Sequence, residues 1–372
     1  MNHPIDALFE TLVEQGGSDL HLLETQPPKI RRHGEVMPIR EEPLTREEMV
    51  HLLQPICSPS AWKKFLESGD LDFAYEMNEA NRFRCNFYKQ LHGLGAIFRI
   101  IPTKIKTLQE LGVPPVIDSF GNFKSGLVLV TGPTGSGKST TLAAVIDSIN
   151  TKYPRHIVTI EEPIEFVHPN KRSVITQREV PNETPSFAAG LKAALREDAD
   201  VVLVGEMRDL ETIALALTAA ETGLLVFGTL HTNNARKTVD RIIDAFPSDQ
   251  QEQIRTMLAN SLRAVCAQLL LKRSDGGGRL AVNEILIGNS AVAAIIREGA
   301  TIKLNDVLKT GKAEGMQLMD DAIAGHLEAK RISPMEAYMK AIDKLRFSAG
   351  DERPRGRGFG HGTGRSKCSG QR

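Results

Sequence analysis

Apolar positions change their spacing along this chain, and the change divides it in two. In the first hundred residues, short runs flanked by Gly, Pro or Asn predict strands at Asp19–Leu23, 29–39, 83–88 and 95–101. Leu8, Leu12 and Val13 predict one face of an opening amphipathic helix, and TREEMVHLLQPI at 45–56 predicts a second helix between the second and third strands. This is the pattern of a small α+β domain over residues 1–101. The stretch 102–124, with Pro114-Pro115, reads as a linker.

From Gly126 onward apolar strands alternate with helical stretches, the sequence form of a mainly parallel sheet covered by helices. Strands are predicted at 126–131, 157–160, 201–205 and 224–230, with helices at 138–150 and 187–197 between them. A further helix at 209–223 is capped by Asp209 and ended by Gly223, with Leu210, Ile213, Ala214, Leu217 and Ala220 on one face. Ile254, Met257, Leu258, Ser261, Leu262, Val265, Cys266 and Leu269 trace a helical stripe, and SDGGGR at 274–279 turns one apolar strand into the next. The chain then reads as helical to about Arg346, which gives a second, α/β domain over 125–347. Beyond it, 348–372 loses its apolar residues to Gly, Arg and Ser, so a disordered tail is expected.

Composition narrows the class. At 372 residues, 41% hydrophobic and 25% charged, the chain has the make-up of a two-domain globular protein. Its 46 basic and 46 acidic residues cancel, and no basic groove interleaved with aromatics is visible, so nucleic acid is not an expected partner. Cys57, Cys85, Cys266 and Cys368 stand singly without metal-ligand spacing, which suits a reducing compartment, and Cys266 reads as core. The first fifteen residues lack an export pattern, and no apolar run approaches the roughly 20 residues of a membrane span. A cytoplasmic location without a direct membrane span is the expectation.

The strongest chemical signal is Gly132-Pro133-Thr134-Gly135-Ser136-Gly137-Lys138-Ser139, followed by Thr140. It fits the phosphate-binding pattern GxxxxGK[ST] and stands between an apolar strand and a helix, the context the motif requires. The glycines let backbone N–H groups turn inward around a phosphate while the helix directs its positive end at the same anion. Lys138 would reach the β- and γ-phosphates, and the Ser139 hydroxyl would serve Mg²⁺. ATP and Mg²⁺ are therefore the expected ligands.

Three more segments end predicted strands on the same sheet edge. Gly205-Glu206 places a carboxylate where a Walker B acid belongs, acting on Mg²⁺ through water, with a helix cap as the plainer reading. Glu161, Glu162 and Glu165 follow the preceding strand, and chemistry alone does not choose which of them orients the attacking water. His231 closes the next strand as a γ-phosphate sensor or as a structural histidine.

Together, GPTGSGKSTTLAA, TIEEPIEFVH, ALREDADVVLVGEMRDLET and LTAAETGLLVFGTLHT resemble the secretion and pilus ATPase superfamily, in its Walker A, Asp box, Walker B and His box segments. SDLHL at 18–22 and RFRCNFY at 82–88 extend the resemblance into the first domain. It implies a RecA-like P-loop ATPase domain preceded by a PAS-like domain. It also implies a homo-hexameric ring, peripheral at the inner-membrane base of the type IV pilus machine, that contacts a platform protein and a second ATPase of the PilU or PilB kind. Within the family the last Asp-box glutamate is the catalytic one, which falls on Glu165. Glu162 stands where an aspartate is usual. The resemblance further implies that Arg82, Arg84 and Arg99 approach a neighbour's nucleotide. Arg82 and Arg84, two apart on a strand, share a side as phosphate contacts require, and surface ion pairing is the alternative. Arg196 and Arg208 beside Walker B are weaker candidates. The segment Ala294 to Gly299 resembles a C-terminal motif associated with retraction.

Overall fold

A computed structural model describes residues 3–32, 34–78, 81–101 and 104–350, the side chains at 349 and 350 excepted. Most of the segment expected to be a tail, from 351 on, lies outside the described residues.

The first domain runs α1 (Asp6–Glu14), β1 (Asp19–Leu23), β2 (Lys29–Arg32), β3 (Glu35–Pro38), α2 (Arg46–Leu53), α3 (Pro59–Ser68), β4 (Asp70–Asn78), β5 (Asn81–Gln90) and β6 (Gly93–Ile101). Its six strands pair antiparallel in the order β3-β2-β1-β6-β5-β4. Phe9 of α1 stacks on Phe83 at 3.9 Å between ring centroids, and Phe65, Phe87 and Phe98 complete an aromatic core. The expected α1 stripe needs correction: Ile5, Phe9 and Leu12 face the core while Val13 is exposed. The single strand expected at 29–39 is the β2–β3 hairpin. The sequence reading passed over α3 and β4, although Leu71, Phe73, Tyr75 and Met77 alternate with smaller or polar residues along β4 and pack on the core.

The second domain follows with α4 (Leu108–Leu111), β7 (Gly126–Thr131), α5 (Lys138–Lys152), β8 (His156–Glu161), β9 (Val174–Glu179), α6 (Phe187–Ala194), β10 (Val201–Val204), α7 (Leu210–Glu221) and β11 (Leu225–Leu230). It ends with α8 (Ala235–Asp244), α9 (Gln251–Ser261), β12 (Leu262–Lys272), β13 (Arg279–Ile287), α10 (Ser290–Arg297), α11 (Leu304–Thr310), α12 (Met319–Glu328) and α13 (Pro334–Lys340). Seven strands lie in the order β13-β12-β7-β11-β10-β8-β9, parallel except for β13. The carboxyl ends of β7, β8, β10 and β11 therefore meet on one edge, where open α/β sheets hold ligands.

Two expectations change here. The helical stripe drawn through Leu269 breaks at Ser261, and Leu262–Lys272 is strand β12. Its central residues, Ala264 to Ala267, are buried on both faces, so their apolar run carries no period that separates strand from helix. The stretch expected as linker is packed from Leu108 onward: Ile117 and Phe120 are fully buried against Val128, Leu142 and Ile146 of the second domain.

Candidate functional site

The phosphate-binding loop joins β7 to α5, and its glycines are required by its shape. Gly132, Gly135 and Gly137 adopt φ of 146°, 77° and 83°. A Cβ on Gly132 would collide with the Gln268 backbone carbonyl of β12, so the loop lies directly against its neighbouring strand. Gln268 also fastens the loop with its side chain. Its Nε2 donates to the Ser136 carbonyl at 2.7 Å, and its Oε1 accepts from Thr141 Oγ1 at 2.9 Å and Asn283 Nδ2 at 3.0 Å. Lys138 Nζ donates to the carbonyls of Gly132, at 2.8 Å, and Pro133, at 3.2 Å. The buried Ser136 Oγ has no hydrogen-bond partner among the described residues.

Around this loop lies a cleft of about 270 Å³. Thr134, Gly135, Lys138 and Ser139 line one side, and Glu161, Glu162 and Glu165 from the end of β8 line another. Glu206 after β10, Thr229 and His231 at the end of β11, and Arg84 from the first domain complete it. Thr140, on α5, does not line the cleft, and neither do Gly132, Pro133, Ser136, Gly137, Arg82, Arg99 or Arg196.

The electrostatics centre on Glu206. Its Oε1 accepts from Arg208 Nε at 2.7 Å and lies 2.9 Å from His231 Nε2. Burial pushes this carboxyl up, but the Arg208 guanidinium and the His231 imidazole outweigh burial and hold it below the usual range. Arg208 also approaches Glu162 at 4.0 Å. Burial lowers the Lys138 ammonium, with the Glu206 and Glu165 carboxylates opposing the shift. Glu161 goes the other way: burial raises it to about 7, although Thr159 Oγ1 donates to it at 2.7 Å and Gln177 Nε2 at 3.3 Å. His168, buried in the wall, is lowered to about 4 by desolvation.

The three arginines of the first domain separate. Arg84 lines the cleft of its own chain. Arg82 pairs with Glu76 at 3.4 Å and reaches Glu179 of the second domain at 3.8 Å. Arg99 donates from Nε to Asp19 at 2.7 Å. Within one chain Arg82 and Arg99 are thus in ion pairs, the alternative weighed for them. The sequence reading missed Gln268 because it was placed in a helix. A lone glutamine in an otherwise apolar buried strand was the available signal.

Residues 3–279 match the family described as type II/IV secretion system protein. The chain belongs to that family. It is PilT-like: this secretion ATPase is 48% identical over 337 residues to the type IV pilus retraction ATPase PilT of Pseudomonas aeruginosa, covering 91% of this chain and 98% of that one. It is 50% identical over 314 residues to a twitching motility protein of Neisseria gonorrhoeae, with 84% of each chain covered. A crystal structure of the pilus retraction motor PilT with bound ADP superposes on the family member described here with a TM-score of 0.87 at 40% identity, covering 94% of this chain and all of the other. The fold is thus that of a two-domain RecA-like ATPase. Among the described residues, no helix is long and apolar enough to cross a membrane.

Proposed function

We propose that the protein is an ATP-hydrolysing motor that powers type IV pilus retraction. It would work as a homo-hexameric ring at the cytoplasmic side of the inner-membrane pilus base, against a platform protein and beside a second ATPase of the PilU or PilB kind. One observation carries the reading: a single cleft gathers Lys138, Ser139, Glu165, Glu206 and His231 from four strand ends and adds Arg84 from the other domain. A site shared between two domains is what converts phosphate cleavage into relative movement.

In this reading the N–H groups of Gly135, Ser136 and Gly137 face the β-phosphate, and Lys138 leaves its carbonyl partners for the β- and γ-phosphates. Mg²⁺ suits the oxygen donors present, the Ser139 hydroxyl directly and Glu206 through water, and when bound it neutralises charge on the transferred phosphoryl group. Glu165 orients the attacking water and takes its proton. His231, in contact with Glu206, senses the γ-phosphate, and Arg84 adds positive charge at the cleft, in its own chain or a neighbour's. An accessory retraction role is the runner-up, favoured by 38% identity over 318 residues to PilU of Pseudomonas aeruginosa. Identity to PilT is higher, which favours the primary motor.

The test is cellular. Deleting the gene should leave pili on the surface that do not retract, the wild-type gene should restore retraction, and Lys138→Ala should not. Normal retraction without the gene would reject the proposal.

A further inference from the structure

Glu179, at the end of β9, has a buried carboxylate with no part in the site described above. Its Oε2 accepts from the backbone N–H of Ile164 at 2.9 Å, and its Oε1 accepts from Asn182 Nδ2 at 2.8 Å. Ile164 is the residue immediately before Glu165, so this side chain is one anchor of the loop that presents Glu165 to the cleft, beside Gln177, whose Nε2 donates to the Phe166 carbonyl at 2.8 Å. The same Oε2 faces Arg82 Nη2 of the first domain at 3.8 Å. The Arg82 side chain is largely covered, and its Nε is buried with no hydrogen-bond partner among the described residues. Its other carboxylate, Glu76, lies on its own domain and is more exposed.

We infer that Glu179 is a positioning residue that couples the placement of the first domain to the Glu165 loop, with Arg82 as its partner across the domain boundary. The reason is electrostatic. A buried carboxylate is tolerated when its charge is compensated, and removing one partner leaves an uncompensated charge that must find other donors. When the first domain moves, Arg82 moves with β5, and the donors that remain to Glu179 Oε2 are those of the loop. A rigid-body displacement is thereby read as a change in how tightly the loop holds Glu165. The coupling rests on the assignment of Glu165 proposed above.

A double-mutant cycle on the full-length protein tests it, with turnover and the KM for ATP as the two readouts. Arg82→Gln and Glu179→Gln each keep side-chain size, and the glutamine at 179 retains an oxygen for the Ile164 N–H. Each should lower kcat about five-fold while KM stays within about two-fold, and the double variant should be no slower than the slower single. Losses that multiply in the double variant, or that fall on KM with kcat intact, overturn the coupling. Glu165→Gln is measured alongside. If it turns over normally, the Glu165 assignment fails and takes the inference with it. If it is inactive while the cycle multiplies, the coupling alone fails.

Discussion

Glu161 and Glu206 stand at the ends of the adjacent strands β8 and β10 and are shifted in opposite directions. Glu206 has cationic neighbours and stays charged. Glu161 has only neutral donors and is held near pH 7. Because its folded-state value lies above its ordinary one, the stability it contributes is complete below about pH 4.5 and is lost as the pH rises through about 7. Glu161→Gln should therefore flatten the pH dependence of the melting temperature between pH 5 and 8, gaining on the order of 1 kcal/mol at the alkaline end. An unaltered profile would show that Glu161 titrates normally. Glu165→Gln should keep ATP binding within a few-fold and reduce hydrolysis by two to four orders of magnitude, as loss of a general base does; normal turnover would move that role to Glu161 or Glu162. At this scale the sequence is informative where chemistry forces spacing. Lys138 and Ser139 follow from the loop pattern alone, and Arg208 stands two residues from Glu206, whereas the His231 contact to Glu206 joins two strand ends that no local pattern relates.

Strands β7, β8, β10 and β11 were readable because each is a short apolar run bounded by turns and helices. Strand β12 was readable only at its end, where SDGGGR turns it into β13, since burial of its centre on both faces erased the period, and the edge strand β9 was missed because VITQRE is half polar. That lost information bears on function, because β12 supplies Gln268 and β9 supplies Glu179. Gln268→Ala would leave the Ser136 carbonyl without its donor and Thr141 Oγ1 without its acceptor, destabilising the fold by about 1–3 kcal/mol. Nucleotide affinity should fall as well, because the loop loses its anchor to the neighbouring strand. Calorimetric ATP titration and thermal melting check both effects; wild-type affinity would show that the loop keeps its shape unaided.

For the whole molecule, the arrangement of domains matters more than either domain alone. The α+β and α/β halves follow from the two spacings of apolar residues, but the packed stretch between them does not, because Ile117 and Phe120 find their partners on α5 and β7. If Arg84 acts across a subunit boundary in the ring proposed here, Arg84→Ala should lower hydrolysis at least ten-fold, as loss of an arginine at a developing phosphate charge does. Mixing that variant with wild-type subunits should then inhibit more than the fraction added. Activity that tracks dilution alone would place Arg84 on its own chain's nucleotide.

The position of Lys138 carries a last consequence. Its ammonium is tied to two carbonyls of its own loop, so a triphosphate would have to exchange those ties for its own oxygens. Part of that ligand's attraction would then be offset by the two ties it breaks.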